Sequence, residues 1–85
     1  MKIYVVFGQT GEYSDQEIWM VKAFKTIKAA TKMVLLANRE SRRIFALSYN
    51  KSHIFRTEKN SYDPNMKMDY TGTNYYYERV ELENN

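Results

Sequence analysis

The sequence predicts an α+β fold in which one long helix packs on one face of a three-stranded, mainly antiparallel sheet, in the order β-β-α-β. Two observations support this prediction. Near both ends of the chain, β-branched and aromatic residues alternate with polar ones, which is the period of a half-buried strand. In the middle, apolar residues recur every three or four positions, which is the period of an amphipathic helix.

A hairpin is predicted at the start of the chain. Its strands are expected at residues 2–7 and 17–24, because both runs are rich in β-branched and aromatic residues. Gly8 and Gly11 lie between them among polar turn formers, and glycine can adopt positive φ. We therefore expect the chain to reverse between the two strands.

The central helix is predicted over residues 27–49. Thr26 is its expected N-cap, because a threonine hydroxyl can accept a hydrogen bond from the free N–H groups of the first turn. Ser41 is the only polar residue in the sector predicted to face the core. The apolar residues of that sector are Ile27, Ala30, Met33, Val34, Ala37, Ile44 and Phe45.

Residues 50–73 are predicted to be irregular, because no period is sustained there. The Tyr-Asp-Pro-Asn sequence at residues 62–65 predicts a turn, since proline fixes φ and Asp or Asn can bond back to the chain. The rest is either partly structured, for example as a helical turn at residues 53–57, or a mobile functional loop.

The third strand is predicted at residues 74–82, followed by a frayed tail. Two registers are open. In a regular strand, Tyr75 and Tyr77 face away from Val80 and Leu82. A bulge near Glu78 would bring all four to one side.

The composition restricts the possible functions. The chain has 85 residues and is expected to form a single domain. It has no cysteine, which excludes disulfides, thiolate catalysis and sulfur-ligated metals. The initial apolar run has no cleavage site after it, and no apolar stretch approaches the roughly 20 residues that span a bilayer. We expect a soluble, cytoplasmic protein that does not bind membranes.

Charge is segregated along the chain. The net charge is +3, but residues 22–59 hold ten basic and two acidic residues, while the other residues hold three basic and eight acidic ones. Such segregation produces a directional field that favours encounter with a charged partner.

A basic stripe on the helix is the candidate partner-binding site. It comprises Lys25, Lys28, Lys32, Arg39 and Arg43. The stripe could contact nucleic-acid phosphates, with Arg42, Lys51 and Arg56 as auxiliaries, or an acidic protein; the plain alternative is a solvated helix face. Leu35, Leu36 and Leu47 border the stripe, which favours a covering partner.

One helix can cover only one face of the sheet. The uncovered face is expected to present some of Tyr4, Val6, Ile18, Met20 and Phe24, which is more apolar surface than a small monomer usually exposes. We therefore predict that this face pairs with a second copy, forming a homodimer, or with another protein.

Catalysis, metals and cofactors are not expected. Glu12, Asp15, Asp63 and Asp69 could surround a cation if the turn after the first strand adjoins the turn before the third, but turn chemistry explains each of them. His53 is the only imidazole and has no second base or thiol beside it in sequence. No set of nucleophile, base and orienting group can be assembled, so we do not expect an enzyme.

The two ends of the chain carry a recognisable pattern. Its parts are residues 3–15, Trp19, Val21, Ala23, Phe24, residues 62–64, residues 69–73 and residues 75–82. This pattern, over roughly the first 24 and the last 24 residues, resembles small uncharacterised accessory proteins encoded by tailed bacteriophages. That family has no established activity. The resemblance implies a setting in the host cytoplasm and binding to a host macromolecule, including components of defence systems of the CRISPR type.

Overall fold

The computed structural model describes residues 1–50, 59–69 and 71–82, with side chains described up to residue 47 of the helix. The elements in chain order are β1 (Lys2–Thr10), a short 3₁₀ helix (Tyr13–Asp15), β2 (Glu17–Phe24), α1 (Ile27–Asn50) and β3 (Thr73–Glu81).

The fold is α+β, as predicted. The three strands form one antiparallel sheet in the order β2-β1-β3, with β1 in the centre. β1 and β3 pair without interruption from Lys2 opposite Glu81 to Thr10 opposite Thr73. Of the two registers left open for the third strand, the regular one is therefore correct, and the alternative with a bulge near Glu78 is absent from this pairing.

β1 is three residues longer than predicted because Gly8 lies within the strand instead of beginning the turn. The Trp19 indole lies directly over Gly8, and a Cβ added there would be 2.6 Å from the ring. The glycine therefore serves close packing. The reversal comes later, where Gly11 has a φ of +87° and precedes the 3₁₀ helix.

Several of the residues on the helix-covered face of the sheet are not the predicted ones. Tyr4, Val6 and Phe24 were expected on the uncovered face, but Val6 is fully buried in the core and the other two pack against it. Val21 also packs there. Residues 21 and 24 can share a face because the pairing of β1 with β2 slips between Val6 and Phe7, which inverts the alternation along β2.

α1 begins as its sequence predicts. The Thr26 hydroxyl accepts from the Ala29 N–H at 3.2 Å, so Thr26 is the N-cap. Ser41 is 1% exposed, and its hydroxyl donates to the Thr73 carbonyl at 2.7 Å. Ile27, expected in the core sector, is 50% exposed because it precedes the first buried position of the helix, Ala30.

Candidate functional site

The outward face of α1 carries four residues of the predicted basic stripe, whereas Lys25 lies before the helix because α1 begins at Ile27, after its N-cap Thr26. All five stripe residues are exposed: Lys25, Lys28, Lys32, Arg39 and Arg43. Lys28 and Ala37 lie about 180° apart around the helix axis at 3.6 residues per turn, and Ala37 is fully buried. The stripe is thus centred opposite the core, where it meets solvent along most of the helix.

Leu35 borders this stripe. It is three residues after Lys32 and four before Arg39, so the three side chains are neighbours on the helix surface. Its exposed fraction is 63%, one of the highest among the large apolar residues of the structure. Leu36 and Leu47, at the border of the stripe, are only partly exposed. The outward face of α1 therefore combines positive charge with one protruding apolar side chain.

Arg43 differs from the other stripe residues. Its Nη2 and Nε atoms donate to the two carboxylate oxygens of Glu40, at 2.6 Å and 3.1 Å. The Arg43 hydrogen bonds hold the pKa of Glu40 below its ordinary value. This pair lowers the positive charge at that end of the stripe. Among the described residues, Lys25, Lys28, Lys32 and Arg39 form no ion pair.

The turn after β1 adjoins the turn before β3, as the sequence suggested. The Thr10 hydroxyl donates to the Gly72 carbonyl at 2.6 Å, and the Gly11 N–H donates to the Thr71 hydroxyl at 3.0 Å. Asp69 accepts from the N–H and the hydroxyl of Thr71. The hydrogen bonds from Thr71 lower the pKa of Asp69 by more than its partial burial raises it, so this pKa lies below its ordinary value. Asp69 is a structural acceptor that ties the two turns together.

The possible cation site is not assembled. Asp63 belongs to a separate network under Trp19, whereas Asp69 is bonded within the turns. Glu12 and Asp15 are exposed. Within residues 1–50, 59–69 and 71–82, no group of three or more His, Asp or Glu side chains could hold a metal ion.

A surface cavity of about 500 Å³ lies beside this junction, and the sequence did not predict it. Residues 9–12, residues 71–74 and Ser41, Arg42 and Phe45 of α1 line it. Its lining combines one guanidinium, one carboxylate, several amides and hydroxyls, and one aromatic ring. Because both signs of charge are present, the cavity favours no single class of ligand.

Asp63 anchors the segment between α1 and β3, a role that the sequence did not reveal. It is 2% exposed, and its Oδ2 accepts from the Trp19 indole N–H and from the Tyr75 hydroxyl, both at 2.8 Å. Burial, with the neighbouring Asp63 carboxylate, raises the pKa of Tyr75. In the sequence, Asp63 had only the signature of a turn residue.

Asn60 completes this buried network. It is fully buried, and its Nδ2 donates to the Ala37 carbonyl of α1 at 3.1 Å. Its Oδ1 accepts from the Tyr62 N–H at 3.0 Å. The turn at Pro64 is closed by the Met66 N–H, which donates to the Asp63 carbonyl at 3.0 Å. Both buried polar residues of this segment therefore hold the chain against the helix and the sheet.

The sheet face away from α1 is apolar, as predicted, but most of the apolar residues on it are not the predicted ones. Alternation from the buried positions places Ile3, Val5, Phe7, Tyr76 and Val80 on it. Phe7 and Tyr76 stack with ring centroids 5.5 Å apart. The predicted members that do lie exposed there are Ile18, at 53%, and Met20, at 69%. Pairing through this face stays a prediction.

Several predicted features lie outside the described residues. These are His53, the auxiliary residues Lys51 and Arg56, and the possible helical turn at residues 53–57.

The chain matches no family model, no curated protein and no solved structure. Among the described residues, no helix combines the length and the apolar character that crossing a bilayer requires.

Proposed function

We propose that this chain is a small binding protein that acts without catalysis, and that the outward face of α1 docks on an acidic surface of another protein. The supporting observation is the position of Leu35, which protrudes at the border of the basic stripe on the side of α1 opposite the core. This surface has an exposed apolar contact directly beside the positive charges.

A protein partner explains the apolar contact better than nucleic acid does. Protein interfaces have an apolar centre and a polar rim. Nucleic-acid affinity comes mainly from neutralising phosphates, to which a leucine contributes nothing. The alternative, a nucleic-acid binder that uses the same stripe, would leave the exposed Leu35 at the border of the stripe without a role. The two classes therefore differ in how binding depends on Leu35.

The positive charges would act chiefly on the rate of encounter and on orientation. Lys28, Lys32 and Arg39 have no ion-pair partner among the described residues, so an acidic surface can approach them without breaking an existing bond. Exposed charges of this kind are screened by salt, with a Debye length of about 8 Å at physiological ionic strength. Binding is expected to weaken as salt rises, and the Leu35 contribution is expected to persist.

The resemblance of the chain ends to phage accessory proteins guides the search for the partner. Under this proposal the partner is a host cytoplasmic protein, and defence complexes are the first class to screen. Binding there would inhibit or modulate the host component.

The test is capture of a partner from nuclease-treated lysate, followed by measurement of its affinity for variants. The variant Lys28→Glu/Lys32→Glu/Arg39→Glu should weaken binding by at least about tenfold. Leu35→Ser should weaken it as well, without changing its salt dependence.

The matched control is Lys2→Glu/Lys59→Glu/Lys67→Glu, which makes the same change in net charge at exposed positions away from α1. It should bind nearly as the unchanged protein does. Equal losses in both triple variants would reduce the effect to net charge. Retention on random DNA that is lost with the α1 variant and unaffected by Leu35→Ser would replace the proposal by the nucleic-acid alternative.

A further inference from the structure

A three-stranded sheet has two edges, and here the edges differ. The β2 edge is irregular, because the pairing slips opposite Val6 and Phe7. Such bulges hinder the addition of another strand. The β3 edge runs without a register shift from Thr73 to Glu81.

α1 occupies the first half of the β3 edge. The Asn38 Oδ1 accepts from the Tyr75 N–H at 2.7 Å, and its Nδ2 donates to the Tyr75 carbonyl at 3.1 Å. The Ser41 hydroxyl donates to the Thr73 carbonyl at 2.7 Å. Side chains of the helix thus take the place that a fourth strand would have at these two residues.

The second half of this edge is open. In an antiparallel strand, alternate residues direct their N–H and C=O groups toward opposite sides. Leu82 bonds to Met1 of the neighbouring chain segment, whereas Tyr75 bonds outward to Asn38. The same alternation turns the backbone groups of Tyr77, Arg79 and Glu81 away from β1. Among the described residues, these groups have no hydrogen-bond partner.

We propose that a second copy of this chain adds at the open half of the β3 edge, β3 against β3, in antiparallel orientation. A two-fold axis between the two strands closes this assembly at a dimer. The side chains of the strand select both the partner and the register.

Among the symmetric registers that satisfy the hydrogen bonding, three are centred on residues 78–80, and charge separates these three. The first register places Arg79 opposite Arg79 of the other copy. The second places Glu78 opposite Glu78 of the other copy and requires the backbone groups of Tyr75, which already bond to Asn38. The third places each Arg79 opposite Glu81 of the other copy, with Val80 opposite its counterpart. Like charges directly opposite destabilise a sheet, whereas opposite charges and β-branched pairs stabilise it.

The third register fits the surroundings of these residues. Arg79 and Glu81 are exposed, and Arg79 forms no ion pair among the described residues. Glu81 has only the N-terminal ammonium at 3.6 Å, in an exposed pair. Val80 lies on the apolar face, so the apolar faces of the two copies would join across a six-stranded sheet.

The test is sedimentation equilibrium of the purified full chain up to about 0.5 mM, a range that covers weak dimers. The unchanged protein should dimerise. Arg79→Glu and Glu81→Arg should each weaken dimerisation by at least about tenfold, since each reverses two cross-strand pairs per dimer. The double variant Arg79→Glu/Glu81→Arg should restore it, because the pairs are re-formed with exchanged partners.

Met20→Lys is the matched control on the apolar face, and it should leave the dimer intact. A monomer throughout the concentration range would overturn the proposal. A dimer that Met20→Lys dissociates and Arg79→Glu does not would also overturn it, and would assign the dimer to the apolar face. Circular dichroism of each variant verifies that the fold persists.

Discussion

Asp63 holds two side chains through hydrogen bonds to its buried carboxylate. It is the acceptor for the Trp19 indole and the Tyr75 hydroxyl, which belong to two different strands. A buried donor that loses its acceptor costs about 1–3 kcal/mol. The contribution of Asp63 to stability is therefore larger than that of an ordinary turn residue.

Asp63→Ala is expected to lower the free energy of unfolding by about 2–5 kcal/mol, because it leaves one buried donor, Tyr75, and one part-buried donor, Trp19, without their acceptor. Urea denaturation followed by circular dichroism would measure this change. Asp63→Asn keeps one acceptor oxygen and should lose less. Asp15→Ala, at an exposed carboxylate, should change the free energy of unfolding by no more than about 0.5 kcal/mol. Equal effects of Asp63→Ala and Asp15→Ala would contradict the role given to Asp63.

Tyr75 predicts a loss of stability in alkaline solution. Burial raises its pKa above the ordinary value of 10.0, so the folded protein keeps the phenol protonated where the unfolded chain ionises it. Its contribution to stability is fully present below about pH 10 and is lost as the pH rises further. The free energy of unfolding should therefore fall above that pH.

Urea midpoints measured between about pH 8 and pH 11 would show this loss. In Tyr75→Phe the decrease above about pH 10 should be smaller by up to about 1.4 kcal/mol per pH unit, because one titrating group is removed. The other tyrosines and the lysines are common to both proteins. Identical slopes would show that Tyr75 does not titrate differently in the two states.

At the scale of elements, the period of α1 determined much of what could be predicted. Ala30, Ala37 and Ile44 are buried as their spacing indicates, and Ser41 bonds to β3 from the same side. The meeting of the two turns at one end of the sheet also followed from the strand order. Such features depend on local period and connectivity, which a sequence displays directly.

The faces of the sheet could not be assigned in the same way. Strand side chains alternate with period two, so a one-residue slip exchanges the two faces. The slip beside Val6 places Phe24 in the core, whereas the sequence predicted it on the uncovered face. The roles of Asn38 and Asp63 were equally hidden, because each bonds to residues that are distant in sequence.

Asn38→Ala tests the tie between α1 and β3. It removes both hydrogen bonds to the Tyr75 backbone, and we expect a loss of about 1–3 kcal/mol in the free energy of unfolding. It should also extend the open β3 edge toward Tyr75 and so promote self-association. Arg39→Ala, the exposed neighbour, should do neither. Denaturation and sedimentation of the two variants would measure both effects, and unchanged values for Asn38→Ala would contradict this role.

At the scale of the whole molecule, the chain presents three distinct surfaces. The outward face of α1 is basic, the opposite sheet face is apolar, and the second half of β3 is an open edge. The segregation of charge seen in the sequence becomes spatial, since α1 carries five of the thirteen basic residues and one acidic residue, Glu40. The basic face and the β3 edge lie on different elements, so a dimer formed through β3 would keep two copies of the α1 face available.

Site-specific crosslinking is the most direct test of the proposal that the outward face of α1 docks on another protein. A benzophenone amino acid in place of Leu35 should crosslink the protein to a protein partner in nuclease-treated lysate, and the crosslink should disappear with the variant Lys28→Glu/Lys32→Glu/Arg39→Glu. The same amino acid in place of Tyr13, which is 93% exposed away from α1, should give no such product. A partner crosslinked from position 13 and not from position 35, or nucleic acid crosslinked from position 35, would contradict the account.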